Sequence, residues 1–301
     1  MSIKGWILSR RHKKEITKDR DYEIFRHLEE APHYGAEIEI VHSSQVDICV
    51  ASECIVLNGD RVGLPDFVLT NTGDGTSYYD LAVMRHLMQS KVPVINSPYA
   101  IESVKDKLHT QQILSSNNLP IPKTMLVKSP LSINVITKNF DFPVVVKTLH
   151  GSLGTGVLLI ETQEKLADFC EFIETLQPNS NIIIQEFIGC RTEIADLRVF
   201  VVGSKVVGCM KRISQDGSFK TNISRGSLGE NYLITSEIEW LATETTKALQ
   251  LDISGVDLLF SDGSFKICEA NAAPQFKGLE KCCKVNVAKN IWEYLLIKIS
   301  G

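Results

Sequence analysis

The fold of this 301-residue chain is decided by the stretch Val256-Asp257-Leu258-Leu259-Phe260-Ser261-Asp262-Gly263-Ser264-Phe265-Lys266-Ile267-Cys268-Glu269-Ala270-Asn271. Two apolar runs flank a polar, glycine-containing turn at residues 261–264, which predicts a β-hairpin. Glu269 and Asn271 are two residues apart and would project from one face of their strand. Asp257 would lie opposite Glu269 on the partner strand. Three oxygen ligands on a rigid hairpin suit a Mg²⁺ ion shared with nucleotide phosphates, so the stretch predicts the metal site of an ATP-using enzyme.

The same polar positions would also suit a solvent-facing antiparallel strand, in which polar residues alternate with apolar ones. Ile267 is expected on the same strand face as Glu269 and Asn271, and Asp257 is embedded in apolar sequence. We therefore expect the carboxylates to be partly buried. Buried carboxylates need a cation, and a metal ion would supply it.

Length and composition indicate a globular protein with two or three subdomains. The net charge of −4 at pH 7 disfavours wholesale binding of nucleic acid. No segment has the apolar length of a membrane span, and the N-terminal apolar run is too short for a signal peptide. We therefore expect a cytoplasmic protein without membrane contact. The eight cysteines include no Cys-x-x-Cys pair and are expected to be buried, reduced thiols rather than a zinc site or a disulfide framework.

The order of predicted elements divides the chain into three parts. Residues 1–97 alternate strands and helices, as in an open α/β domain with a small parallel sheet. Their polar loop at residues 71–76 follows a strand end, where such sheets place ligand loops. Residues 98–188 begin with a helix predicted to start at Ser103 on a capping-box pattern, followed by strands and a second helix. Residues 189–301 alternate strands with helices.

A glycine-rich loop at residues 151–156 follows a β-branched strand that ends on Lys147. Its glycines would let backbone N–H groups approach phosphate oxygens closely. The loop is not a Walker motif, because it lacks Gly-Lys-Ser/Thr and precedes a strand rather than a helix. By itself it would equally suit a plain hairpin turn. The adjacent lysine favours a phosphate clamp, and Lys107 is a second candidate, although a lone lysine is usually a solvated surface residue.

An apolar strand predicted at residues 181–188 carries the polar pair Gln185-Glu186. Such a strand can cover the faces of adenine while backbone groups read its edge, or it can be an ordinary core strand. Glu193, a few residues further on, is a candidate ligand of the ribose hydroxyls.

Basic residues are concentrated within thirty residues of an otherwise acidic chain. The cluster consists of Arg198, Lys211, Arg212 and Arg225, accompanied by Asn222. Guanidinium groups suit a transferring phosphoryl group or a substrate carboxylate. The alternative is a solvated basic face. The neighbouring predicted metal hairpin favours phosphate binding over this alternative.

The ordered set of motifs resembles the ATP-grasp superfamily and, more narrowly, the RimK-type amino-acid ligases. That branch includes ribosomal-protein glutamate ligases and the N-acetylaspartylglutamate and β-citrylglutamate synthetases. The resemblance covers nearly the whole chain. It implies a mixed α/β and α+β class, an ATP-grasp fold. Its parts would be an N-terminal open α/β (pre-ATP-grasp) domain at residues 1–97, a central lid subdomain at 98–188 and a C-terminal α+β catalytic subdomain at 189–301.

The resemblance also implies an ATP-dependent carboxylate–amine ligase. ATP would phosphorylate a substrate carboxylate, an amine would attack the acyl phosphate, and an amide would form. The amino acid added is expected to be glutamate, and the acceptor an amino acid, an acylated amino acid or a peptide end. Members of the family often form dimers or tetramers, so a homodimer or homotetramer is expected.

Matching the motifs residue by residue implies three groups of site residues. Two Mg²⁺ or Mn²⁺ ions would bind Asp257, Glu269 and Asn271. The γ-phosphate and the acyl phosphate would be held by Arg198, Arg212, Asn222 and Arg225. ATP would be bound by Lys107, Lys147, Gly151, Ser152, Gly154, Thr155, Gly156, Gln185, Glu186, Phe187, Ile188 and Glu193.

Two departures from the RimK-type pattern concern the substrate. After Asn271 the chain continues Ala272-Ala273-Pro274-Gln275, where the pattern has small residues, often Ser-Pro-Gly, so that Gln275 could alter acceptor binding. Polar residues 71–79 also differ from those expected in glutamate-adding synthetases. An amino-acid ligase of a peptide natural-product pathway is therefore an alternative. A non-catalytic ATP-binding module is another, but the intact metal ligands and both lysines favour catalysis.

Overall fold

The computed structural model describes residues 2–52, 54–149, 151, 155–189, 194–215 and 227–300. The helices are α1 (Tyr22–Glu30), α2 (Tyr78–Gln89), α3 (Pro98–Lys105), α4 (Lys107–Ser116), α5 (Ile133–Asn139), α6 (Gln163–Leu176), α7 (Ser236–Ala248), α8 (Lys277–Cys283) and α9 (Val287–Ser300). The strands are β1 (Ile3–Ser9), β2 (Ala36–His42), β3 (Val46–Cys49), β4 (Cys54–Leu57), β5 (Asp60–Val62), β6 (Phe67–Asn71), β7 (Val94–Ile95), β8 (Thr124–Lys128), β9 (Val144–Thr148), β10 (Val157–Ile160), β11 (Asn181–Glu186), β12 (Ala195–Val202), β13 (Lys205–Ile213), β14 (Leu228–Asn231), β15 (Ile253–Ser261) and β16 (Ser264–Asn271).

The N-terminal part contains a parallel sheet in the order β2-β1-β6-β7. The carboxyl ends of β1 and β6 lie side by side, since Ser9 pairs with Asn71. The sheet therefore opens a crevice at the edge where α/β folds bind ligands. A separate antiparallel meander of β3, β4 and β5 lies between β2 and β6 in the chain, and the sequence pattern did not predict it.

The central part is an antiparallel sheet in the order β10-β9-β11-β8. Helices α5 and α6 contribute Ile136, Leu166 and Cys170 to the apolar core that covers one of its faces. The predicted strand at residues 181–188 is shorter than expected, because β11 ends at Glu186.

The C-terminal part is a five-stranded antiparallel sheet in the order β14-β13-β12-β15-β16. Helix α7 packs on it through Ile238 and Leu241, and Leu114 of α4 joins the same core. Helix α9 connects this sheet to the N-terminal one, because Trp292 lies in one core with Phe67 and Phe200. The mixed α/β and α+β class is confirmed, while the division at residues 97 and 188 stays a prediction.

The helix predicted to start at Ser103 starts elsewhere. Ser103 lies within α3, which begins at Pro98 after the N-cap Ser97. A new helix, α4, follows the N-cap Asp106, whose carboxylate accepts hydrogen bonds from the backbone N–H groups of Leu108 and His109. Serine and aspartate are both good N-cap residues, and Asp106 rather than Ser103 caps a helix. This N-cap makes Lys107 the first residue of α4.

None of the helices in the described part of the chain has the length and apolarity that crossing a bilayer requires. The cysteines in that part carry free thiols. Cys54, Cys170 and Cys209 are buried as expected, but Cys49 is exposed, so the expectation of burial is wrong there. Cys190 lies outside the described residues.

Candidate active site

The hairpin of β15 and β16 has the predicted pairing, since Asp257 is the partner of Glu269. The register shifts directly afterwards, so that Leu258 pairs with Ile267 and the extra residue Cys268 forms a β-bulge. A bulge puts the alternation of side chains out of phase. Ile267 therefore lies in the apolar core with Leu258, and the expectation that it shares the face of Glu269 is wrong. The carboxylates are nonetheless largely enclosed, with Asp257 only 3% exposed.

Asp257 lies between two arginines. Arg198, its register partner on β12, donates two hydrogen bonds to it, from Nε to Oδ1 and from Nη2 to Oδ2, the second at 2.8 Å. Arg212 Nη2 lies 2.9 Å from Oδ2 of the same carboxylate. Burial alone would raise the pKa of Asp257, but the two guanidinium groups outweigh burial and hold it below its usual value.

Arg212 is itself held by a second carboxylate. Its Nε lies 2.7 Å from Asp196 Oδ1, and Nη2 bonds Oδ2, in a bidentate pair that is buried on both sides. Burial would lower the pKa of Arg212, but Asp257 and Asp196 together raise it well above its usual value. Asp196 was not among the predicted site residues. It completes a buried network of two carboxylates and two guanidinium groups.

Glu269 and Asn271 lie on one side of this network. Asn271 Nδ2 is 3.4 Å from Glu269 Oε1 and also 3.4 Å from the backbone oxygen of Gly255. Burial, and then the charge of Asp257, raise the pKa of Glu269. A carboxylate destabilised in this way favours a cation next to it, and the donor set is all oxygen, which fits Mg²⁺. Within the described ranges, no group of three or more His, Cys, Asp or Glu side chains could hold a metal ion. The predicted site is not such a group, because its third ligand, Asn271, is an amide.

The two predicted phosphate lysines reach the same region from different elements. Lys147, near the end of β9, donates from Nζ to Gln185 Oε1 at 2.6 Å. Its Nζ is also 3.9 Å from Cys268 Sγ. Lys107, at the start of α4, donates to the backbone oxygen of Gly151 at 2.5 Å. Lys107 therefore ties the helix to the entrance of the glycine-rich loop.

The described ends of the glycine-rich loop require glycine. Gly151 has φ +128° and Gly156 has φ +69°, values that side chains disfavour. A Cβ at Gly156 would collide with Thr148 Oγ1, while the backbone N–H of Thr148 donates to Gly156 O at 2.9 Å. This close approach of backbone to strand fits a loop that packs over phosphates. Thr155, between the two glycines, is exposed.

The predicted adenine residues have two different environments. Gln185 is buried and donates from Nε2 to Thr124 Oγ1 at 2.8 Å. Glu186 Oε1 lies 2.5 Å from Lys266 Nζ and accepts from the backbone N–H of Lys123 at 2.7 Å. Burial raises the pKa of Glu186, but the hydrogen bonds and charges of Lys266 and Lys123 together outweigh burial, and the net shift is downward. Phe187 and Ile188 follow the end of β11 and are half-buried.

A cavity of about 260 Å³ joins most of these groups. The predicted residues that line it are Lys107, Lys147, Gly151, Gln185, Arg198, Glu269 and Asn271. Those that do not are Thr155, Gly156, Glu186, Phe187, Ile188, Arg212 and Asp257. Ser152, Gly154, Glu193, Asn222 and Arg225 lie outside the described residues.

The cavity extends to residues that sequence reasoning missed. Arg10, Arg11 and Arg20 line it from the connection after β1, and residues 70–73 line it from the end of β6. Seven cationic and three anionic side chains line the cavity in all, so it favours anionic ligands. The carboxyl end of β1 was the signal that could have found the arginines.

The chain is similar to known ligases over almost all of its length. The family model described as RimK-like ATP-grasp domain matches residues 104–295. A probable alpha-L-glutamate ligase of Aeromonas salmonicida (strain A449) is 33% identical over 285 residues, which cover 93% of this chain and 94% of the relative.

Solved structures of ATP-grasp proteins share the fold of this chain. A RimK domain ATP-grasp protein from Sphaerobacter thermophilus has a TM-score of 0.74 at 18% identity, with 97% of this chain and 98% of that chain covered. The ATP-grasp ligase PsnB, in complex with a phosphomimetic variant of a minimal precursor, Mg and ADP, has a TM-score of 0.76 at 17% identity, with 99% of each chain covered.

The fold and these similarities define an ATP-dependent ligase of the ATP-grasp class. Within that class, the chain belongs to the RimK-like ATP-grasp family. The resemblance inferred from the motifs is thereby confirmed.

Proposed function

We propose that the protein joins an amino acid, with glutamate favoured, to the carboxylate of an amino acid, an acylated amino acid or a peptide end, using ATP and Mg²⁺. The observation that carries this proposal is the shared cavity. It brings Lys107 and Lys147 together with Arg198, Glu269 and Asn271, which are the cations and oxygen ligands that a phosphoryl transfer requires.

In the first step a carboxylate oxygen of the acid substrate attacks the γ-phosphorus, the bond to the β-phosphate bridging oxygen breaks, and ADP leaves. Lys147 and Lys107 hold the phosphates, and backbone N–H groups of the glycine-rich loop cover them. Arg198 and Arg212, fixed by Asp257, stabilise the charge on the transferred phosphoryl group. Asp257, Glu269 and Asn271 would hold two Mg²⁺ or Mn²⁺ ions, which neutralise phosphate oxygens when bound.

In the second step the nitrogen of the amine substrate attacks the acyl carbon. Inorganic phosphate leaves with the carboxylate oxygen that attacked ATP, and the nitrogen loses a proton as the amide forms. Positioning and charge neutralisation supply the catalysis, so we assign no protein nucleophile.

Two observations support the choice of substrates. The relative in Aeromonas salmonicida is named as a probable alpha-L-glutamate ligase, and PsnB was solved with a peptide precursor. The excess of cationic side chains in the cavity is in keeping with an acidic substrate. A cytoplasmic location and assembly into a homodimer or homotetramer remain part of the proposal.

The test is ADP release from MgATP against a panel of amino acids, their pairs and N-acylated forms, with the products identified by mass spectrometry. We expect release that depends on one pair, and a product lighter than the two substrates by one water. Asp257→Asn combined with Glu269→Gln should abolish turnover. Asp262→Asn, an exposed carboxylate in the turn of the same hairpin, is the matched control. Tight ATP binding without release across the panel would favour a protein or peptide acceptor or a non-catalytic module, and release on addition of peptides would distinguish the two.

A further inference from the structure

The cavity has a second end, away from the lysines and the glycine-rich loop. Arg10 and Arg11 directly follow β1, and Arg20 precedes the N-cap of α1. All three line the cavity together with residues 70–73 at the end of β6. This end therefore belongs to the N-terminal sheet, whereas the groups proposed to hold ATP belong to α4 and the central sheet.

The two acidic residues at this end, Asp21 and Glu23, accept hydrogen bonds from other groups. Asp21 accepts from Arg11 Nη1 at 2.7 Å and from the backbone N–H of Thr17 at 3.0 Å. Glu23 accepts from the backbone N–H groups of Phe276 at 2.9 Å and Lys277 at 3.3 Å. Both carboxylates therefore have hydrogen-bond partners other than Arg10 and Arg20.

Arg10 and Arg20 differ from Arg11 in their pairing. Both are exposed, and among the described residues neither forms an ion pair with an acidic side chain. Arg11, in contrast, is matched by Asp21. Two guanidinium groups that line one crevice and form no ion pair favour an anion bound there.

Arg10 packs against a glycine in the loop that follows β6. A Cβ at Gly75 would lie 2.6 Å from Arg10 Cδ and 3.3 Å from its Nη1. The arginine side chain therefore lies against the loop whose residues 70–73 also line the cavity.

We propose that Arg10 and Arg20 form an anion subsite that binds the non-reacting carboxylate of an acidic amino-acid substrate. The proposal rests on the ligase function proposed above and deepens it. Guanidinium groups bind carboxylates in a bidentate geometry, so the subsite selects glutamate or aspartate over their amides. The substrate lies with its reacting amino group near Glu269 and Asn271 and its side-chain carboxylate at the N-terminal sheet.

The experiment compares Arg10→Gln, Arg20→Gln and the double variant with the wild type. Lys14→Gln is the matched control, since Lys14 is an exposed cation on the same connection and does not line the cavity. KM and kcat are measured for L-glutamate, L-glutamine and ATP. Calorimetric binding of L-glutamate and L-glutamine, with Mg²⁺ and a non-hydrolysable ATP analogue, gives a readout that does not require turnover.

We expect each single substitution to raise the KM and Kd for glutamate by about ten- to 100-fold, because a charge-assisted hydrogen bond is lost. The KM for ATP, the values for glutamine and the Lys14→Gln control should stay unchanged. An unchanged KM for glutamate, or an equal loss for glutamate and glutamine, would overturn the subsite.

The two proposals fail in different ways. A wild-type protein that binds glutamate but ligates nothing contradicts the ligase function, and its calorimetry still decides the subsite. A wild-type protein that ligates only neutral amino acids and does not bind acidic ones contradicts the subsite and leaves the ligase function standing.

Discussion

Replacing Asp196 with asparagine tests the buried network on which the site is built. Asp196 is 6% exposed and pairs in bidentate fashion with Arg212, which is 5% exposed. Asparagine keeps the shape of the side chain and removes its charge. An arginine stays protonated in proteins, so the guanidinium cannot escape the loss of its partner by releasing a proton.

The magnitude follows from the burial of the pair. Removing one partner of a buried ion pair typically costs about 3–5 kcal/mol in the free energy of unfolding. Arg212 keeps Asp257 at 2.9 Å, so we expect the lower end, about 3 kcal/mol. For a chain of 301 residues that corresponds to a fall in Tm of about 5 °C.

Urea denaturation and scanning calorimetry measure the two quantities directly. Asp262→Asn, at an exposed turn position with φ +41°, removes a carboxylate without burial and should change stability by less than about 0.5 kcal/mol. A loss below about 1 kcal/mol in Asp196→Asn would refute the reasoning. The buried charges would then not hold the strands of the site in place.

Three further perturbations have defined outcomes. Burial lowers the pKa of His27 to about 4 from 6.5. Between these two values the unfolded chain binds a proton at His27 and the folded chain does not, so the free energy of unfolding falls by about 3 kcal/mol between pH 6.5 and pH 4. Urea unfolding at pH 7 and pH 4 should show a smaller acid loss in His27→Leu than in the wild type, and equal losses would contradict the assignment. Gly156→Ala should raise the KM for ATP by about tenfold or more, because Gly156 has a positive φ and a Cβ there would collide with Thr148. Adding Thr148→Ala should lower that KM again, and an unchanged KM in either variant would argue against the loop geometry. Lys147→Met should lower kcat/KM for ATP by about 100-fold, whereas Lys128→Met, an exposed lysine on the same sheet, should leave it unchanged in steady-state assays.

Much of the architecture follows from local sequence signals. Helix α1 (Tyr22–Glu30) and strand β2 (Ala36–His42) follow two clear periodicities, separated by a turn that contains Pro32 and Gly35. The pairing of Asp257 with Glu269 was also predictable, since a short turn sets the register of a hairpin.

Other features leave no such signal. The bulge at Cys268 is a backbone irregularity that does not alter composition, so the face of Ile267 was predicted wrongly. Strands β3, β4 and β5 have only three or four residues each, too few for a period to emerge. Asp196 was overlooked because its role depends on Arg212, which lies opposite it on the neighbouring strand.

The candidate site was predicted best where one hairpin or one loop supplies the residues. Glu269, Asn271, Lys147 and Gly151 do line one cavity. The contribution of the N-terminal sheet was missed, because it requires knowing that the carboxyl end of β1 faces the C-terminal hairpin. That relation arises from the core shared by Phe67, Phe200 and Trp292, which long-range packing creates.

Transfer of oxygen from substrate to phosphate tests the central claim most directly. The protein is incubated with MgATP, the amine and an acid substrate whose carboxylate carries ¹⁸O, and the inorganic phosphate is analysed by mass spectrometry. An acyl phosphate predicts one ¹⁸O atom in the phosphate for every amide formed. Amide formation with unlabelled phosphate would contradict the account, as would phosphate release without an amide product.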